Sequence, residues 1–239
     1  MPTTINKQRI LSQLLNGSKS KAPTATAANS ILSHFAYAIC REGALPENAD
    51  QAYQRLVDRF FDWNEIRVSS PREIQETFEG LPHAEERAIR LIRMLQEVFE
   101  TTFSFDLEPL IKKGAKPAAK HLSRYEAASD FAISWILLKS FDAHSLPLDE
   151  HCTRVLHRLG LIDEASSEPA AAREGLEALV PKSRGHHMAD SLSLIANEYC
   201  TEREPACGRC PLHLDCMTGQ QHARLARSAS SRGHRPKPR

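Results

Sequence analysis

Apolar residues recur through almost the whole chain with the spacing of a helix, and this property sets its fold class before any motif is considered. Tyr53, Leu56, Val57, Phe60 and Phe61 fall at i, i+3, i+4, i+7 and i+8, one face of a helix. Ala88, Leu91, Ile92, Leu95 and Phe99 repeat the pattern. The stretch DFAISWILLKSF is apolar nearly all round and reads as a central buried helix. No stretch alternates with period two. Stops stand at Gly43 and Pro46, Gly80 and Pro82, Pro117, Pro147, Pro169 and Pro181. The pattern predicts an all-α chain of roughly eight to ten short helices. Lys7 to Leu15 forms a short amphipathic helix, followed by a Ser/Thr/Ala linker, SKSKAPTATAANS. Ser166 or Ser167 is placed to cap a helix whose first turn holds Pro169.

The 239 residues, 41% of them hydrophobic, suffice for one large domain or two small ones. The densest apolar run, Phe131 to Leu138, is too short to span a bilayer, and no signal-peptide core lies near Met1. The expected setting is cytoplasmic, where clustered cysteines more often bind metal than form disulfides. The net charge of +1 is unevenly spread. Residues 1–30 carry four basic residues and no acid, and residues 222–239 carry six basic residues and no acid. The body between them holds 21 basic against 30 acidic residues, a net −9. Such an acidic body is unusual for a protein that acts on nucleic acid. The tail, ARLARSASSRGHRPKPR, has no core-forming residues and is expected to be disordered over 222–239.

Four of the six cysteines crowd into CTEREPACGRCPLHLDC. Cys200, Cys207, Cys210 and Cys216 are separated by six, two and five residues, so two short gaps and a longer loop let four thiolates converge. Gly208 relieves crowding in the tight turn, and Pro205 and Pro211 stiffen its flanks. Four thiolates suit zinc or an iron–sulfur cluster, and spacing alone leaves both open. Cys40 and Cys152 lie apart and read as core residues.

This cysteine pattern, at the end of an all-helical chain of this length, resembles the [4Fe–4S] loop of endonuclease III and its relatives. These are the helix-hairpin-helix DNA glycosylases of base-excision repair. NKQRILSQLL resembles the opening helix of that family, and LVPKSRGHHMADSLSLIANEYC the helix leading into the cluster. The resemblance implies a six-helix barrel over residues 30–143 with a degenerate hairpin. It also implies a cluster domain built from both chain ends, residues 1–29 and 144–221. A [4Fe–4S] cluster on Cys200, Cys207, Cys210 and Cys216, a monomeric state, double-stranded DNA as partner and, in a bacterium, association with the nucleoid follow in the same way.

In that family a segment of the type V/L-D-x-H-x-x-R-V carries the catalytic aspartate, and LDEHCTRVLHRLGL matches it with Asp149, His151, Arg154 and Val155. A fixed carboxylate there stabilises the positive charge that builds on the sugar as the bond to the base breaks. Taken alone, Asp149 follows Leu146-Pro147-Leu148 where a helix starts, which is equally the position of an N-cap. His151 reads as a structural helix residue.

The chain departs from the family at the hairpin. Bifunctional members place a lysine just after a glycine-rich turn, and eighteen residues before Asp149 this chain has Phe131. The turn glycines are replaced by Ala127 and Ser129 and its proline by Glu126, while Lys139 is placed on the far side of the buried helix. Without the amine no Schiff base forms, so strand cleavage by that route is not expected. Candidate DNA contacts are Ser129 at the turn, Arg41 in YAICREGALPEN and Arg203 in the cluster loop. Phe131, Trp135 and Tyr125 are candidate pocket aromatics. Two functions follow: a monofunctional DNA N-glycosylase using Asp149, or a non-catalytic relative that keeps the fold and cluster as a scaffold.

Overall fold

The computed structural model describes residues 4–17, 30–163 and 169–222. The basic tail expected to be disordered, most of the linker and the Ser166/Ser167 cap lie outside the described residues. Twelve α-helices run through the described residues, and no strand is among them. They are α1 (Thr4–Gly17), α2 (Ile31–Arg41), α3 (Pro46–Arg59), α4 (Trp63–Val68), α5 (Pro71–Thr77), α6 (Ala84–Thr102), α7 (Pro109–Lys113), α8 (Ala115–Leu122), α9 (Asp130–Ser140), α10 (Glu150–Leu159), α11 (Pro169–Glu177) and α12 (Gly185–Glu198). None is long and apolar enough to cross a membrane.

Local chemistry sets where these helices begin. Ser30, Asp62, Ser70, Ser129 and Asp149 each cap a helix by accepting a backbone N–H in its first turn. At α5 the cap is reciprocal, because the Glu73 carboxylate takes the Ser70 N–H at 2.8 Å. Pro46, Pro71 and Pro109 stand in first turns, where a missing N–H costs nothing.

The apolar side chains gather into two cores. One draws on residues from Ile31 to Ile136, with α2 at its centre. Every α2 residue except His34 is buried, and α2 packs along both α9 and α3. The second joins Ile10, Leu11 and Leu14 of α1 to residues from Leu146 to Cys216. Arg9 pairs with Asp215 at 3.1 Å and the Ser191 hydroxyl donates to the Leu14 carbonyl at 2.6 Å, so both chain ends lie in one lobe. The family resemblance implies this topology, and α9 is buried as the all-round apolar pattern requires.

The lobes are fastened through polar groups. Arg41 is 2% exposed, and its guanidinium reaches across to α12. It pairs with Asp190 at 3.0 Å, donates to Ser193 Oγ at 2.9 Å and donates to the Ala44 carbonyl. Arg173 of α11 holds Asp130 and Ser134 of α9. The Arg41 side chain, expected as a DNA contact, is instead buried and engaged within the fold. It sits at the end of α2, where the chain turns under α12, and Asp190 offers it a carboxylate there. Removing one member of such a buried pair strands the other. Arg41→Ala is expected to lower stability by about 3 kcal/mol or more, read from the midpoint of urea denaturation.

Candidate functional site

Asp149 lies at the seam between the lobes and is 8% exposed. One carboxylate oxygen accepts the Cys152 N–H at 2.7 Å and caps α10. The other accepts the Gly43 N–H at 2.8 Å, from the loop between α2 and α3. Gly43 aims its N–H this way with φ at +70°, a conformation that side chains disfavour. Asp149 is thus an N-cap and also a tie between lobes. A carboxylate has about four lone-pair sites; the Cys152 side chain bonds it as well, and a site remains to face a cation. His151 stands beside Gly43, consistent with a structural role.

The turn between α8 and α9 keeps the helix-turn-helix course without the glycines. Its backbone amides are already bonded. Glu97 of α6 takes the Glu126 N–H at 3.0 Å on one oxygen and the Ala127 N–H at 3.2 Å on the other. Arg93 pairs with both Glu97 and Glu126. Arg90 donates to the Ala127 carbonyl at 2.8 Å and to Glu42 at 2.6 Å. Ser129 caps α9, accepts from Arg90 at 2.7 Å and donates to Glu42 at 2.9 Å. Its hydroxyl has no donor left for a phosphate, so the proposed DNA contact at Ser129 is replaced by this internal network. Arg203 is exposed in the cluster loop.

Phe131, eighteen residues before Asp149, is 4% exposed. It stacks on Trp135 with ring centroids 6.1 Å apart, and Trp135 in turn lies 5.3 Å from Tyr37. The Lys139 Nζ stands 5.3 Å from the Trp135 ring centre. Lys139 therefore follows Phe131 and Trp135 at i+8 and i+4 along one face of α9, not on its far side. Burial lowers its pKa, against the fields of Asp190 and Asp50. Tyr125 belongs to neither group: its hydroxyl bonds Thr101 and His121 near the turn.

The four cysteines line one cavity of about 20 Å³, together with Val155, Arg158, Leu159, Ile195 and Tyr199. No disulfide joins them. Burial pushes up the pKa of Cys207, Cys210 and Cys216, and the neighbouring thiolates push in the same direction. Among the described residues no three His, Cys, Asp or Glu side chains draw close enough to hold one metal ion. The thiols stand around the cavity rather than at a point. Arg158 supports this loop, donating to the carbonyls of Thr201 at 2.6 Å and Glu202 at 2.7 Å and to Cys200 Sγ at 3.4 Å. Arg154, one turn earlier, donates to the Cys200 carbonyl at 3.1 Å. Gly219 N–H donates to Cys216 Sγ at 3.3 Å, and a Cβ on Gly219 would lie 2.9 Å from the His213 carbonyl oxygen. Cys40 and Cys152 are buried away from this loop; burial pushes Cys40 up to about 12.

No family model matches the sequence. Solved structures do match the fold. An endonuclease III–DNA complex without a covalent link superposes with a TM-score of 0.67 at 14% identity, over 94% of this chain and 100% of that one. A thermostable thymine-DNA glycosylase gives 0.63 at 14% identity, over 91% and 99%. The Helicobacter pylori 3-methyladenine DNA glycosylase, bound to 1,N6-ethenoadenine, gives 0.56 at 13% identity, over 79% and 96%.

The fold is that of endonuclease III. On this endonuclease III-like frame, the Asp149 seam and the cysteine loop stand at opposite ends of α10, which carries both Asp149 and Arg158. Glu97, Arg90, Gly43 and Arg158 are the site residues that sequence reasoning missed. Arg158 alone had a local signal, since it repeats Arg154 at i+4 on the same face. Arg158→Met is expected to cost about 2 kcal/mol, because several charge-assisted bonds to the loop are lost. The check is chemical denaturation, together with faster alkylation of Cys200 in metal-free protein.

Proposed function

We propose that this chain is a monofunctional DNA N-glycosylase of base-excision repair, acting on duplex DNA. It hydrolyses the bond between a damaged or mismatched base and its sugar and leaves the strand uncut. The observation that carries this reading is the Asp149 carboxylate, clamped by two backbone N–H groups at the lobe seam of an endonuclease III-like fold. The two cores support a division into a barrel domain, residues 30–143, and a cluster domain from residues 1–29 and 144–221.

A carboxylate fixed in this way costs no reorganisation as charge develops on the sugar. As the base departs, Asp149 stabilises the oxocarbenium-like sugar and orients the attacking water, taking its proton on a free lone pair. Phe131 cannot form an imine, so water is the nucleophile and the abasic strand stays whole. Borohydride is expected to trap no protein–DNA adduct, and nicks are expected only after alkali. A trapped adduct overturns this, and its loss in Lys139→Met would locate the amine. Asp149→Asn is expected to abolish base release. It also costs stability, because an amide offers one acceptor for two N–H groups, about 1–3 kcal/mol. Full turnover in Asp149→Asn would leave Asp149 with the cap alone.

The donor set of the cavity fits a [4Fe–4S] cluster held by Cys200, Cys207, Cys210 and Cys216. A single zinc ion gathers its thiolates about 2.3 Å from one centre, whereas a cubane binds four spaced ones. When bound, the cluster supplies a structural cross-link that pins the loop after α12. Arg158 and the Gly219 N–H then face the ligand sulfurs and offset their charge. The purified protein is expected to be brown with about four irons per chain, and Cys207→Ser to bleach it and destabilise the C-terminal lobe. Stoichiometric zinc without visible absorption overturns this.

A second reading, a non-catalytic scaffold, draws on the occupied turn amides and the inward Arg41. It takes over if the cluster-loaded protein releases no base from a broad panel of lesions.

A further inference from the structure

Charge on this fold is distributed against the usual arrangement of a helix-turn-helix phosphate site. The turn amides hold Glu97, and the arginines beside them are spent: Arg90 pairs with Glu42, and Arg93 with Glu97 and Glu126. The helices that lead into the turn carry the reverse charge. From Pro109 to Tyr125 the chain has Lys112, Lys113, Lys116, Lys120 and Arg124 and no acid, although the body as a whole is net −9. All five are exposed, and none forms an ion pair among the described residues.

All five cations belong to α7, α8 and the first residues after α8. α7 and α8 pack against each other. His121, in the last turn of α8, shares a hydrogen bond with the Tyr125 hydroxyl at 3.1 Å. Its pKa is held below the usual imidazole range by burial and then by the fields of Lys113, at the end of α7, and Arg124, just after α8. A phosphate arriving over Lys112, Lys113, Lys116, Lys120 and Arg124 meets exposed positive charge that no ion pair among the described residues holds. Lysines are flexible point charges, suited to tracking a backbone rather than reading a planar group.

We propose that the α7–α8 basic face, in place of the turn amides, meets the phosphate backbone of duplex DNA. This rests on the reading of the chain as a duplex-acting protein and adds the surface on which the duplex lies. No exposed aromatic stands within Pro109–Tyr125, since Tyr125 is 4% exposed, so the face offers no ring for unpaired bases to stack on. That favours duplex over single strands.

The test is a salt titration of the full-length, metal-loaded chain on an undamaged duplex, an abasic-analogue duplex and a single strand, read by fluorescence anisotropy. The variant combines Lys112→Gln, Lys113→Gln, Lys116→Gln and Lys120→Gln. All four side chains are exposed, so an unchanged thermal melt is expected to accompany it. Each phosphate contact contributes about 0.9 to the slope of log affinity against log salt. The variant is therefore expected to lose about 3–4 from that slope and at least about tenfold in low-salt affinity. A parent slope in the variant overturns the proposal while leaving the glycosylase reading in place. Loss of single-strand affinity with duplex affinity intact overturns it as well. If the unaltered chain binds no duplex at low salt, the proposal and the duplex-acting reading fall together.

Discussion

Two backbone N–H groups from opposite lobes converge on one carboxylate, and the geometry of the seam depends on that meeting. Cys152 contributes the start of α10, and Gly43 contributes the loop after α2. Neither bond is available unless both lobes are in place, so the charge of Asp149 is positioned by the fold as a whole. Arg41 reinforces the same seam two residues earlier, reaching Asp190 and Ser193 on α12. The separation of helix cap from lobe tie, natural when a sequence is read in one dimension, disappears here. Orienting a carboxylate rigidly and capping a helix require the same donors.

What could be read from the residues was what repeats at short range. Helical periodicity gave the all-α class, and α1, α3, α6 and α9 lie over the segments that carried it. The cysteine spacing located the loop, and the structure brings its four thiols to one cavity. Arg41 could not be placed in this way. At a helix end before glycine it reads as a surface residue, and only α12, about 150 positions on, shows the carboxylate waiting for it. Glu97 escaped for a similar reason, since its partners are backbone amides 29 and 30 residues away, which have no sequence signature. Lys139 was a matter of helix geometry: four-residue steps from Phe131 through Trp135 hold it near one face.

The turn between α8 and α9 shows how a turn's backbone donors can be satisfied from within the chain. Two of its amides, on Glu126 and Ala127, are satisfied by an intramolecular carboxylate. Arg93 then balances that carboxylate, and Arg90 with Ser129 and Glu42 braces the other side.

The composition of the second core also has a consequence for synthesis. Ile10, Leu11 and Leu14 must wait for partners that stretch to Leu212 and Cys216, whereas the core around α2 uses only residues between Ile31 and Ile136. On a ribosome the first lobe can therefore consolidate while α1 remains an exposed amphipathic helix. That helix is claimed only after nearly two hundred further residues have emerged. Closing so long a loop is slow relative to local packing, and until it closes, the apolar face of α1 is open to wrong neighbours. The nascent chain is most vulnerable late in synthesis, when most of it has already folded.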